Sequence, residues 1–231
     1  MNTLPVVVVL GLKGGSGKST LAIHLAVAAG SGVMLADCDP QGTSLAWAQE
    51  RHRREPTVIG VLSHQLDRHL SHTNGSTLMV VDTAPRLEAD VPALAALADL
   101  IVIPIRPNMP DLAASQTTLR IAEASCRPFV IVLNAVHYHS ADAAEAREVL
   151  ARHYEMAPVM LGQRASFARA LASGSAVTEF EPQGKAAEEI SQLWTFLQAK
   201  LHGQNRASRS SLNRNERRQK PKLAASAGKE T

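Results

Sequence analysis

The sequence predicts an α/β fold: one domain built on a mostly parallel, twisted sheet with helices on both faces. Three observations lead there. Short β-branched runs alternate with Ala- and Leu-rich helical stretches, the pattern of repeated βαβ units. The runs are apolar throughout, without polar alternation, so the sheet they form is covered on both sides. The first run leads directly into a glycine-rich turn and then a helical pattern.

Taken in order, the valine run predicts a strand near Val6–Leu10, and Lys18–Ala29 is the first helix. A short apolar run predicts a strand at Val33–Ala36, followed by a helix at Thr43–Arg51. Leu78–Val81 and Leu100–Ile105 read as strands, separated by a helix at Asp90–Ala98. Asp111–Ala124 is helical, Phe129–Leu133 is a strand, and Ala141–His153 is helical again. A short strand is expected near Val159–Leu161, then helices at Ser166–Ser173 and Gly184–His202. The last helix places Ile190, Leu193, Trp194, Leu197 and Leu201 on one face, which marks a helix packed on the sheet. Its polar residues Glu188, Glu189 and Gln192 do not suit anionic lipid.

Composition narrows the class. The chain has 231 residues, 45% hydrophobic, enough to bury a core of one domain. Only 3% are aromatic, so the core is aliphatic and the composition disfavours a base-stacking nucleic-acid reader. Cys38 and Cys126 cannot make a disulfide framework, a four-cysteine zinc site or an iron–sulfur cluster within one chain, and a reducing cytoplasm is the natural compartment. No run reaches the ~20 apolar residues of a membrane helix, and Met1–Leu10 lacks a basic start.

The net charge of +3 is unevenly spread. Gly203–Thr231 holds eight Lys and Arg against Glu216 and Glu230, a surplus of +6, so the remainder is −3. The expected organisation is therefore a domain over 1–202 and a basic tail over 203–231. With almost no large apolar residue, the tail cannot offset its ordering entropy and is expected to be disordered.

The strongest chemical signal is Gly11-Leu-Lys-Gly-Gly-Ser-Gly-Lys-Ser-Thr20, between a strand and a helix. Gly14, Gly15 and Gly17 let backbone N–H groups, that of Ser16 included, converge on a β-phosphate at a helix N-terminus. Lys18 is placed to bridge β- and γ-phosphates, and the Ser19 hydroxyl to ligate Mg²⁺, with Thr20 beside it. The carboxylates of Asp37 and Asp39, two residues apart at a strand end, both reach the crevice where ligands bind in open α/β sheets.

The K-G-G-x-G-K-[ST] form, with Leu12 at the usual first-glycine position and the additional Lys13, resembles the deviant Walker A motif of the ParA/MinD ATPase superfamily. Leu35-Ala-Asp-Cys-Asp-Pro-Gln-Gly42 resembles the family's D-x-D-P-Q-G stretch, and Met79-Val-Val-Asp-Thr-Ala-Pro85 its Walker B strand. Ile103-Pro-Ile-Arg-Pro-Asn-Met-Pro-Asp-Leu-Ala113 resembles the family's P-x-x-P-x-x-x-D segment. The resemblance implies a single P-loop NTPase domain in which Lys13 reaches a partner's phosphates across a nucleotide-sandwich dimer. It also implies that Asp39 positions the attacking water, Asp82 holds Mg²⁺, and Asp37 supports the metal's water shell. Leu133-Asn-Ala-Val-His137 lacks the Lys and Asp of an N-K-x-D guanine reader, so ATP is the expected nucleotide. By resemblance, Asn134 contacts adenine and Pro107 belongs to the base pocket.

Five residues precede the first strand, leaving no room in this sequence for an amino-terminal helix-turn-helix domain, so the chain is similar to the short, ParF-like partition ATPases. That resemblance implies a plasmid or chromosome segregation ATPase: an ATP-state homodimer that binds DNA without sequence preference, in a cytoplasmic, nucleoid-associated setting without membrane binding. A ParB-like or ParG-like centromere-binding partner would stimulate slow hydrolysis. Candidate DNA contacts are Arg164, Arg169 and Lys185, with Arg214, Arg217, Arg218 and Lys220 in the tail. An ATP-dependent metabolic enzyme and a MinD-like positioning ATPase are the alternatives on the same fold. His64, His69, His72, His137 and His139 do not have metal-site spacing, and Cys38, flanked by carboxylates, is not a reactive thiolate.

Overall fold

The computed structural model describes residues 4–70, 75–85, 90–137 and 140–219, with side chains described through residue 203. The chain order is β1 (Val6–Val9), α1 (Lys18–Ala28), β2 (Val33–Asp37), α2 (Thr43–Gln49), β3 (Thr57–Gly60), α3 (Leu66–Leu70) and β4 (Leu78–Asp82). It continues with α4 (Val91–Leu97), β5 (Leu100–Ile105), α5 (Met109–Ala124), β6 (Phe129–Leu133), α6 (Ala141–Ala151), α7 (Ala165–Ala172), α8 (Val177–Phe180) and α9 (Lys185–Gln219). A 3-10 turn, Ser63–Gln65, leads into α3.

The sheet has six strands in the order β3-β2-β4-β1-β5-β6, and every pairing is parallel. Side chains alternate across it. Val7 and Val9 of β1 join the core beneath α1, α7, α8 and α9, while Val6 and Val8 join the core beneath α4, α5 and α6. Both sets are fully buried, which is why the strands read as unbroken apolar runs. Because all strands are parallel, their carboxyl ends share one edge. There β1 and β5 lie side by side while their connections leave in opposite directions, β1 towards β2 and β5 towards β6, and a crevice forms.

The short helices α3 and α8 lie outside the sequence expectation, and three further features depart from it. β3 is an added strand at the sheet edge: half-exposed and preceded by the polar run Arg51–Glu55, it carries no unbroken apolar signal. Val159–Leu161 is not a strand. The chain touches β6 at two isolated bridges, Ile131 with Met156 and Val136 with Gly162, and between them Pro158 has no N–H to continue a ladder. Finally, α9 does not stop at His202 but runs to Gln219, so this much of the expected disordered tail is helical. Gly203 is the sole breaker in that stretch, and the Arg, Gln, Asn and Ser residues beyond it are compatible with a solvated helix. Lys220 lies outside the described residues.

Candidate functional site

The loop between β1 and α1 wraps the carboxyl end of the sheet. Gly17 caps α1 with φ of 94°, a conformation that favours glycine, and its lack of a side chain leaves the space that Asn134 Nδ2 occupies. Gly14 and Gly15 are exposed on the outer curve, whereas Ser16 is buried. Asn134, just after β6, braces the loop from behind by donating from Nδ2 to Ser16 O at 2.7 Å.

Lys18 is buried and curls over the loop, its Nζ donating to Lys13 O at 3.1 Å. Burial lowers its pKa, and the charges of Asp82 and Asp39 oppose that shift. Asp82 ends β4, is fully buried, and accepts a hydrogen bond from Ser44 Oγ at 2.9 Å on Oδ2. Burial pushes its pKa up to about 6 against the pull of the Ser19 and Ser44 hydroxyls. Its Oδ1 is buried without a partner among the described residues.

Asp37 ends β2 in register with Asp82. Its Oδ1 accepts from Asp39 N at 3.1 Å and its Oδ2 from Leu45 N at 2.9 Å, so the carboxylate anchors the Asp39 turn and the start of α2. Burial raises its pKa and these amides counter the rise. Asp39 itself is half-buried, with Oδ1 accepting from Gln41 N at 2.9 Å. Lys13 pairs within its own chain: Nζ lies 2.7 Å from Asp111 Oδ1 at the start of α5, with the lysine side chain 38% exposed and the aspartate 9%.

A cavity of about 140 Å³ adjoins the loop, lined by Gly17, Thr20, Arg106, Asn134, Arg164 and Phe167 among others. Asn134 is thus where a base-contacting residue is expected. Pro107 is buried outside this lining, and its neighbour Arg106 faces the cavity instead. Arg164 is a wall of the cavity held by α9. Its Nε lies 3.1 Å from Glu189 Oε1, and Glu189 Oε2 also accepts from Gly162 N at 3.0 Å. Arg169 is exposed on α7, and Lys185 donates to Glu188 at 2.9 Å. Arg214, Arg217 and Arg218 fall within the span of α9.

The fold therefore gathers Lys13, Ser16, Lys18, Ser19, Asp37, Asp39 and Asp82 at one mouth, while Arg169 on α7 and Lys185 on α9 are outside the lining of the adjoining cavity. Sequence reasoning missed Ser44, Arg106, Asp111 and Glu189. Asp111 stood inside a quoted motif without a role, and Glu189 was indistinguishable from a solvated helix face. Burial holds the Cys38 thiol up at about 12, consistent with an unreactive cysteine. No group of three potential metal-binding side chains of the His, Cys, Asp or Glu type occurs among the described residues; His72 and His139 lie outside them.

Residues 7–193 match the CobQ/CobB/MinD/ParA nucleotide binding domain. The chain belongs to the ParA/MinD superfamily of nucleotide-binding ATPases. Among relatives of this superfamily, the maintenance of carboxysome distribution protein A of Gloeobacter kilaueensis is 36% identical over 155 residues, 63% of this chain and 70% of that protein. Protein ParA of Rhizobium radiobacter is 31% identical over 126 residues, 51% of this chain and 56% of that protein. Among solved folds, the septum site-determining protein MinD of Pyrococcus horikoshii, complexed with Mg-ADP, aligns with a TM-score of 0.67 at 15% identity over 84% of this chain and 95% of that one. The ParA/MinD fold and its nucleotide-binding class thus stand as the phosphate loop and strand order indicate.

Proposed function

We propose that this ParA/MinD-type chain hydrolyses Mg-ATP in a nucleotide-sandwich homodimer and uses the ATP state to bind DNA, serving DNA segregation in the cytoplasm at the nucleoid. The observation that carries the ATPase reading is the mouth where the charges of Asp39 and Asp82 act on Lys18 while Asp82 Oδ1 is buried without a hydrogen-bond partner among the described residues. An orphaned carboxylate oxygen beside a serine hydroxyl is a hard oxygen donor set and fits Mg²⁺. When bound, Mg²⁺ neutralises developing charge on the phosphates. The chain supplies the rest. Backbone N–H groups of residues 14–17 and the α1 N-terminus hold the phosphates, and Lys18 bridges them. Ser19 and Asp82 would hold the ion, Asp39 would orient the attacking water, and the Asn134 cavity would take the adenine.

Support for a dimer comes from the same edge of the sheet. Met109, 77% exposed at the start of α5, stands two residues from Asp111, the partner of Lys13, and Leu62, 58% exposed, follows β3 at the same carboxyl edge of the sheet. Large apolar side chains held in solvent at a ligand mouth fit coverage by a second copy, across which Lys13 reaches the partner's phosphates. Arg169 and the basic stretch from Gly203 onward supply cations for DNA phosphates, and a ParB-like or ParG-like partner stimulates hydrolysis. A second reading, positioning of a protein cargo by the same switch, is favoured by the relative that maintains carboxysome distribution.

DNA co-sedimentation with ATP, with ADP and without nucleotide, at two salt concentrations, tests the proposal. ATP-dependent, salt-sensitive binding is the expected result, with affinity falling at a slope of about −0.9 per neutralised phosphate. Binding that is absent or indifferent to nucleotide removes the DNA role.

A further inference from the structure

Ser44 stands in the first turn of α2, two residues after Gly42, and is fully buried. Its hydroxyl donates to Asp82 Oδ2 at 2.9 Å, and its backbone N–H joins those of Leu45 and Asp39 on the Asp37 carboxylate. One residue thus touches the two acids that end β2 and β4 side by side in the sheet. A serine hydroxyl has a single proton to give. Ser44 gives it to Oδ2, and Oδ1, on the carboxyl that the Ser19 hydroxyl also pulls on, is buried without a hydrogen-bond partner among the described residues, which suits a place for a cation. The nearby hydroxyl of Thr83 does not compete, because it donates to Val9 O at 2.9 Å.

We propose that Ser44 is a positioning residue of the metal site: it fixes the rotation of the Asp82 carboxyl so that Oδ1 faces the ion, and it ties that carboxyl to the Asp39 turn through α2. The proposal rests on the Mg-ATP reading above. Partners of a metal-binding group that orient it without touching the ion are worth 10–100-fold in metal affinity. Ser44 also gives the carboxylate that meets the metal and the carboxylate that meets the water a common mechanical support. Asp37 accepts from the amides of Asp39 and Leu45 on either side of the turn, and Ser44 links that unit to Asp82.

The test uses the full chain with a non-hydrolysable ATP analogue and Mn²⁺ as the metal, followed by electron paramagnetic resonance. Ser44→Ala is expected to weaken Mn²⁺ binding by about 10–100-fold, with metal-free affinity for the analogue unchanged. Ser44→Cys, which keeps the volume and a weak S–H donor, falls between and remains informative should the alanine variant fold poorly. Amide hydrogen exchange without metal is the second arm: residues 39–45 exchange faster in either variant than in the parent protein. Equal Mn²⁺ affinity in parent and variants overturns the positioning role while leaving the Mg-ATP reading intact. A parent protein that binds no Mn²⁺ with the analogue overturns the Mg-ATP reading, and the exchange arm alone then decides whether Ser44 holds the Asp39 turn.

Discussion

His24 is fully buried on α1, with Nδ1 accepting from Val177 N at 3.2 Å and its ring edge-on to Phe167 at 5.1 Å. Burial lowers its pKa from 6.5 to about 3, so the folded chain refuses a proton that the unfolded chain accepts. The stabilising difference is present above pH 6.5 and is lost as the pH falls towards 3. Between pH 6.5 and pH 5 the loss from this residue is about 2 kcal/mol. Urea unfolding of His24→Asn is expected to show a pH dependence shallower by that amount, since Asn keeps an acceptor without the titration. The two cysteines make a second contrast at this scale. Cys126 is exposed and Cys38 is buried with its thiol held protonated, so iodoacetamide under native conditions should add one carbamidomethyl group, at Cys126. Lys18→Ala is expected to abolish nucleotide binding, read by calorimetry; retained affinity would remove the phosphate-loop assignment.

Between elements, the hub is Arg51. It stacks on Trp47 with 4.8 Å to the ring centroid, donates twice to Glu179 at 2.8 Å, and donates to Gly174 O at 3.0 Å, binding the end of α2 to α8. The Arg51 side chain is 4% exposed and that of Glu179 12%, so removing the arginine leaves a largely buried carboxylate with only the exposed Arg53, 3.4 Å away, and the Ala176 N–H as partners among the described residues. Arg51→Ala should cost about 3–5 kcal/mol of stability in denaturant melts. Such hubs were invisible in the sequence, where Arg51 read as the end of a helix and Val177–Phe180 was too short to register. The same limit explains β3 and the broken ladder at Pro158: a four-residue edge strand has no long periodic pattern, and an apolar triplet is a strand only if its neighbours can hydrogen-bond to it. Long, fully buried strands were legible because burial on both faces leaves a continuous apolar run.

Across the whole molecule, charge and nucleotide state meet. An acidic body with a cationic extension gains DNA affinity only if its cations are brought together, and a dimer presents each twice. Asp39→Ala is expected to leave ATP-dependent dimers that do not turn over, seen as a persistent dimer in light scattering with ATP. Truncation after His202 removes the helical extension to Gln219 together with the basic surplus, and should lower the salt slope of DNA binding while leaving ATP affinity unchanged. An unchanged slope would place the DNA contacts on Arg169 and the body of the domain.

The sequence by itself determined the phosphate loop, the strand-end acids Asp37, Asp39 and Asp82, and the parallel layered class, because each depends on residues adjacent in the chain or on a short period. Only the tertiary structure decided what those groups face. Ser44 meets Asp82 across 38 residues, Arg164 meets Glu189 across 25, and Lys13 meets Asp111 on another helix. Such pairings arise when the sheet sets strand ends side by side and helices fold back over them, so no local spacing encodes them.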